Sequence, residues 1–172
     1  MDIVVFGPHD AEEIKAYIVD HHDRFSLEDP LKPGATYKIL YFNLHRGFNW
    51  RCKVDILVSG RHLPLHIPRI PRQHIKYLGA HTSDIPVVPF LVLLILKVQG
   101  WRDNCRDRRW DKIPRDIEDV NTLLEMTDEI DHRYYYPWLP KWFFQGAQRL
   151  VIRYTNDYPE TAYSFRELGF DV

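Results

Sequence analysis

The sequence predicts an α+β fold, with a sheet-bearing core over residues 1–100 and a helical portion over residues 101–172 packed on it as one unit. Three observations predict it. Short β-branched runs crowd the first sixty residues. At Pro89 the apolar period changes from two to helical spacing, and everything after it reads as helix. Strands early and helices late is the order of an α+β chain rather than of alternating βα units. Composition agrees, with 45% hydrophobic, 14% aromatic and 27% charged residues in 172, enough apolar material for a real core.

The elements follow in order. Asp2–Phe6 is a short apolar run stopped by Gly7-Pro8, as suits a buried strand. Asp10-Ala11-Glu12-Glu13 places acids in a first helical turn, where the dipole favours them, and Ile14, Tyr17 and Ile18 recur at i, i+3, i+4, so residues 10–22 form an amphipathic helix. Pro30, Pro33 and Gly34 mark a loop, Tyr37–Leu44 is a second strand and Arg51–Ser59 a third. That third strand alternates: Cys52, Val54, Ile56 and Val58 form an apolar face, while Arg51, Lys53, Asp55 and Leu57 form the other. Five prolines then keep residues 64–89 extended and irregular, with one short strand near Ile75–Leu78. From Pro89 a helix apolar on nearly every side runs to Gly100, which should close it. A charge-dense stretch of six cations and six anions covers residues 101–119; Pro114 opens the next helix, and further helices are expected near 137–155 and 159–168.

Charge and cysteine usage narrow the functional classes. Lys+Arg 23 against Asp+Glu 24 gives a net charge of −1, so the chain as a whole lacks the basic excess usual for nucleic-acid binders. Two cysteines, Cys52 and Cys105, with no CxxC pair, argue against a disulfide scaffold and against a thiolate zinc site. The longest apolar stretch, Ile85–Leu96, is far short of the roughly 20 residues that span a bilayer, and the acidic N-terminus is unlike a signal peptide. A soluble intracellular protein, cytoplasmic or nuclear and without a membrane partner, is expected.

Asp2 and Asp55 each stand beside an apolar β run. Carboxylates projecting from neighbouring strands can share a divalent cation, because Mg²⁺ takes oxygen ligands and binds through one or two carboxylates plus phosphate oxygens. The alternative is structural: Asp2 is merely terminal, and Asp55 pairs with Lys53 or Arg51. Other groups offer less. His21-His22 ends a helix, where cations suit the dipole, and His62 and His66 lie in proline-broken chain. Glu13 and Lys15 read as helix-surface charges. Cys105 sits among charges that could raise its reactivity. The six cations of 101–119 form either a solvated, internally paired face or a polynucleotide contact. The aromatic run Tyr134–Leu139 with Trp142-Phe143-Phe144 reads as packing.

In their order, Asp2-Ile3-Val4-Val5, Arg51-Cys52-Lys53-Val54-Asp55-Ile56-Leu57, His62-Leu63-Pro64, Ile85-Pro86-Val87-Val88-Pro89-Phe90, Leu93-Leu94-Ile95-Leu96-Lys97, Gln99-Gly100-Trp101-Arg102-Asp103 and Arg115–Val120 resemble the polymerase-β-type nucleotidyltransferase superfamily. The register is similar to that of nucleotidyltransferase-like proteins of mushroom-forming fungi and covers roughly residues 1–125. The resemblance implies a mixed β-sheet flanked by helices, bearing three acids that bind two Mg²⁺ ions, with an NTP seated on the metals and a hydroxyl attacking its α-phosphorus. It makes Asp55 and Asp2 the catalytic metal ligands, as the third acid and the second acid of the family's Asp-x-Asp pair. Strand alternation, rather than the resemblance, puts Lys53 on the face of Asp55, where it could meet phosphate; the resemblance places Lys97, Lys112 and Asp116 where relatives often carry polar residues facing the nucleotide. The acceptor is left open among RNA ends, tRNA, a protein hydroxyl and a small molecule. The family's Gly-Ser turn and first acid would precede Met1 in this register, which implies either an N-terminally incomplete motif or an inactive relative serving as an interaction module.

Overall fold

A computed structural model of the chain describes residues 1–7, 9–44, 50–78, 85–126 and 136–172. It divides into two compact units, Met1–Pro64 and Leu65–Val172.

The first unit is a four-stranded sheet with one helix. Its strands are β1 (Asp2–Val5), β2 (Phe25–Glu28), β3 (Ile39–Asn43) and β4 (Arg51–Val58), ordered β1-β4-β3-β2. β1 runs parallel to β4 and the other pairings are antiparallel, so the sheet is mixed. Helix α1 (Ala11–His21) provides the crossover that a parallel pair requires. Asp10 caps it: Oδ1 accepts from the Glu12 and Glu13 backbone N–H groups at 2.8 and 3.3 Å. Ile14 and Ile18 of α1 pack with Ile3, Val5, Phe25, Leu27 and Phe42 around buried Leu40, Val54 and Ile56. The alternation along β4 thus places Val54 and Ile56 in the core and leaves Arg51 and Lys53 exposed.

Strand β2 was not expected. Its Phe25-Ser26-Leu27-Glu28 alternates as a half-buried strand should, but four residues between Asp23-Arg24 and a Pro/Gly loop are too few for a periodic signal. As an edge strand it needs only Phe25 and Leu27 inside; Phe25 meets its register partner Phe42 with tilted rings 5.0 Å apart.

The second unit opens with an antiparallel ribbon, β5 (Lys76–Leu78) and β6 (Ile85–Val87), the first near the expected short strand and the second accommodating Pro86. Among the described residues four α-helices follow: α2 (Phe90–Arg106), α3 (Ile113–Glu125), α4 (Lys141–Asp157) and α5 (Ala162–Glu167). Gly100 does not end α2. The helix continues because the next turn carries Trp101, fully buried against Tyr154 of α4 with rings 4.9 Å apart, and that burial outweighs the ~1 kcal/mol helix penalty of glycine. Leu91, Leu94, Val98, Val120, Leu124, Leu150, Val151 and Phe165 complete this core. Phe143 is buried, as the packing reading of the aromatic run expects, while Tyr134 and Tyr135 lie outside the described residues. No helix among the described residues is long and apolar enough to cross a membrane.

Candidate functional site

The parallel register of β1 on β4 pairs Asp2 with Asp55 and Ile3 with Ile56. Because Ile3 and Ile56 point into the core under α1, Asp2 and Asp55 stand together on the opposite face, on strands about 4.8 Å apart. Two residues of the sequence more than fifty positions apart are thus cross-strand neighbours. The Asp55 backbone N–H donates to Met1 O at 2.9 Å, continuing the ladder to the start of β1.

That face carries polar groups on all four strands, alongside Val4, Ile39 and Leu57. Lys53, two residues before Asp55 and opposite Tyr41, places Nζ 2.8 Å from Asp55 Oδ1 and 2.9 Å from Oδ2. Arg51, two residues earlier, pairs with Glu28 of β2, and its guanidinium lies over the Tyr41 ring, 4.0 Å from the centroid. Glu28, Tyr41 and Arg51 extend the polar surface from β2 to β4, and neither Glu28 nor Tyr41 was singled out in the sequence. Only the cross-strand register aligns them with Lys53, and β2 carried no signal of its own.

As oxygen donors the two carboxylates suit a hard cation that keeps phosphate or water among its ligands. Lys53 now occupies the position of countercharge to Asp55. Among the described residues no group of three or more His, Cys, Asp or Glu side chains is assembled that could hold a metal by itself.

The remaining candidates lie in the second unit. Lys97 of α2 pairs with Asp119 of α3 at 2.7 Å. Asp116 Oδ2 accepts from the Asn104 amide at 2.7 Å, which ties the first turn of α3 to α2. Lys112 is exposed and its carbonyl accepts from the Arg115 and Asp116 N–H groups at the start of α3. Cys105 departs from expectation: burial pushes its thiol pKa up, with Asp157 and Asp116 adding to the rise against Arg153, so the surrounding charges do not activate it. Lys15 departs too. It is not a helix-surface charge but 9% exposed, its ammonium bonded to Glu12 at 2.6 Å and to the Lys38 carbonyl at 2.7 Å.

The chain is α+β, a mixed sheet followed by a helical C-terminal part. The chain is similar to the crystal structure of an antigenic nucleotidyltransferase-like protein from Paracoccidioides brasiliensis, with a TM-score of 0.62 over 96% of this chain and 73% of that one. At 12% identity the likeness is one of fold. No family model matches the sequence, and no curated protein matches it.

Proposed function

We propose that the Asp2–Asp55 edge of the first unit is an Mg²⁺-dependent NTP site, and that the protein is a nucleotidyltransferase whose acceptor is a hydroxyl. The observation that carries this reading is the register pairing Asp2 with Asp55 on the face of the sheet opposite α1. In it, Asp2 and Asp55 hold Mg²⁺ through carboxylate oxygens, and the metal, when bound, neutralises charge on the phosphates. Lys53 then exchanges its bond to Asp55 for one to a phosphate oxygen, which keeps its ammonium paired throughout. In the transfer the acceptor hydroxyl oxygen forms a bond to the α-phosphorus and its proton passes to solvent, the bond from the α-phosphorus to the α–β bridging oxygen breaks, and pyrophosphate leaves. Lys97, Lys112 and Asp116 enter the proposal as the polar positions of the second unit offered by the family resemblance.

Calorimetric titration of each NTP, with Mg²⁺ and then with EDTA, tests it. Expected is Mg²⁺-dependent binding that Asp55→Ala weakens by at least tenfold, about 1.4 kcal/mol, with circular dichroism unchanged because Asp55 lies off the core face. Binding that survives the substitution would remove Asp55 from the site. A second reading, an inactive relative serving as an interaction module, is favoured by the Lys53–Asp55 pair, which balances the carboxylate without a metal. It predicts no NTP binding in either condition.

A further inference from the structure

The turn between α2 and α3 combines three features, and of its residues the nucleotide proposal draws on Lys112 alone. The first is charge: residues 108–115, Arg-Arg-Trp-Asp-Lys-Ile-Pro-Arg, hold four cations and one anion, a local excess of +3 in a chain of net charge −1. The neighbouring acids are already committed. Asp103 pairs with Arg102 and Arg106, Asp107 with Arg106, and Asp116 with Asn104. Arg109 acts on Asp107 only through space, lowering its pKa after the larger effect of the Arg106 hydrogen bond. Among the described residues no side-chain hydrogen bond or ion pair is made by Arg108 or Arg115, and Asp111 and Glu118 are the acids left near them.

The second feature is Trp110, 67% exposed between these cations. An indole left in water beside unpaired guanidinium groups has an open face for stacking. The third is the backbone. Helix α2 ends with Arg108 N–H bonded to Cys105 O at 3.2 Å and Arg109 N–H to Asn104 O at 2.9 Å, the paired bonds of a Schellman cap. Helix α5 ends in the same way, with bonds from Gly169 and Phe170 to Arg166 and Phe165, and glycine at the left-handed position with φ +89°. In α2 that position is Arg108, φ +56°, where a side chain costs about 1 kcal/mol or more. The cap fixes the direction in which the Arg108, Arg109 and Trp110 cluster leaves the helix.

We propose that this turn binds single-stranded nucleic acid, with Trp110 stacking on a base and Arg108, Arg109 and Arg115 contacting the flanking phosphates. An acidic peptide would be met by the cations but would leave the indole unused, so the exposed Trp110 favours a polynucleotide. The surface lies wholly within the second unit and does not rest on the nucleotide reading of the first.

The test is fluorescence anisotropy of labelled oligo(U) and oligo(dT), about 12 nucleotides long to span the site sizes usual for such surfaces, titrated with the full chain over a salt series. Expected is binding that weakens linearly in log–log salt. Arg108→Ala/Arg115→Ala should make that slope shallower by about 1.4, two contacts at ~0.7 each. Trp110→Ala should weaken binding on the order of tenfold at unchanged slope. Both variants alter only exposed side chains, and circular dichroism checks their fold. Asp55→Ala should bind the oligonucleotides as the parent does, which separates this surface from the NTP site. Absence of binding at low salt, or affinities equal in parent and both variants, overturns the proposal. So does tighter binding to polyglutamate or to phosphatidylserine vesicles than to either oligonucleotide, which would make the turn a protein-docking or membrane surface.

Discussion

At the scale of single residues, Lys15 carries the strongest physical constraint in the first unit. A nearly buried ammonium is tolerable only if its protons are bonded, and Lys15 donates to Glu12 Oε1 and to the Lys38 carbonyl. Glu12 in turn accepts the Lys38 N–H at 2.9 Å through its second oxygen, so one ion pair fastens α1 to the chain entering β3. Burial alone would raise the Glu12 pKa. The hydrogen bonds from Lys15 and Lys38 and the Lys15 charge outweigh it, and the carboxyl titrates below its ordinary 4.5. A carboxyl whose folded pKa is depressed stabilises the fold above the unfolded pKa and loses that contribution as pH falls through the folded value. Urea midpoints should therefore hold from pH 7 to about 5 and drop below 4.5. Glu12→Gln should lower stability at pH 7 by about 1 kcal/mol or less, since the glutamate is partly exposed, and should flatten this part of the acid limb. Parent and variant falling in parallel through acid would show that the pair is not the titrating element.

At the scale of elements, legibility in the sequence depended on whether a signal was local. Strand β4 was legible because the alternation from Arg51 to Ile56 states both its period and its faces. The helix starts were legible too, from the acids of Asp10–Glu13 and from Pro114, although Asp10 stands before the first turn as its cap rather than within it. Asp2 and Asp55 stood out as carboxylates beside apolar runs, but their adjacency depended on a parallel register that no local pattern encodes. Glu28 and Tyr41 were hidden for the same reason, since pairing alone brings them onto that face. The Gly100 expectation failed because helix propensity is a weak prior against the burial of Trp101 one residue later. That α2–α4 contact contains an unresolved polarity: Trp101 Nε1 and Tyr154 Oη are buried and have no hydrogen-bond partner among the described residues. Burial also pushes the Tyr154 phenol far above its ordinary pKa, so it stays neutral at any working pH. Removing a buried hydroxyl that bonds to nothing removes a desolvation penalty. Tyr154→Phe should be neutral or should stabilise the fold by up to about 1 kcal/mol, read as a rise in Tm. A loss of more than about 1 kcal/mol would mean that the hydroxyl is bonded.

For the whole molecule, the two units differ in how much core each owns. Among its described residues Met1–Pro64 buries three apolar core side chains, Leu40, Val54 and Ile56, with a ring of half-buried ones around them. A domain of about sixty residues buries only about 60% of the surface that its unfolded chain exposes and is correspondingly marginal. Leu65–Val172 holds most of the buried apolar residues, among them Trp101, Tyr154 and Phe165. A fragment starting at Leu65 should consequently fold alone, with a cooperative thermal transition and a strong near-ultraviolet aromatic signal from its buried Trp101. A fragment ending at Pro64 should unfold at a lower denaturant concentration and be steadied by Mg²⁺ with NTP, because a ligand that binds only the folded state adds its binding free energy to stability. Oligonucleotide binding through Trp110 should travel with the first fragment and NTP binding through Asp55 with the second. If the fragment from Leu65 has helical far-ultraviolet but no near-ultraviolet signal, its aromatic core forms only in the intact chain. The two binding activities would then have to be separated by Asp55→Ala and Trp110→Ala within the full protein.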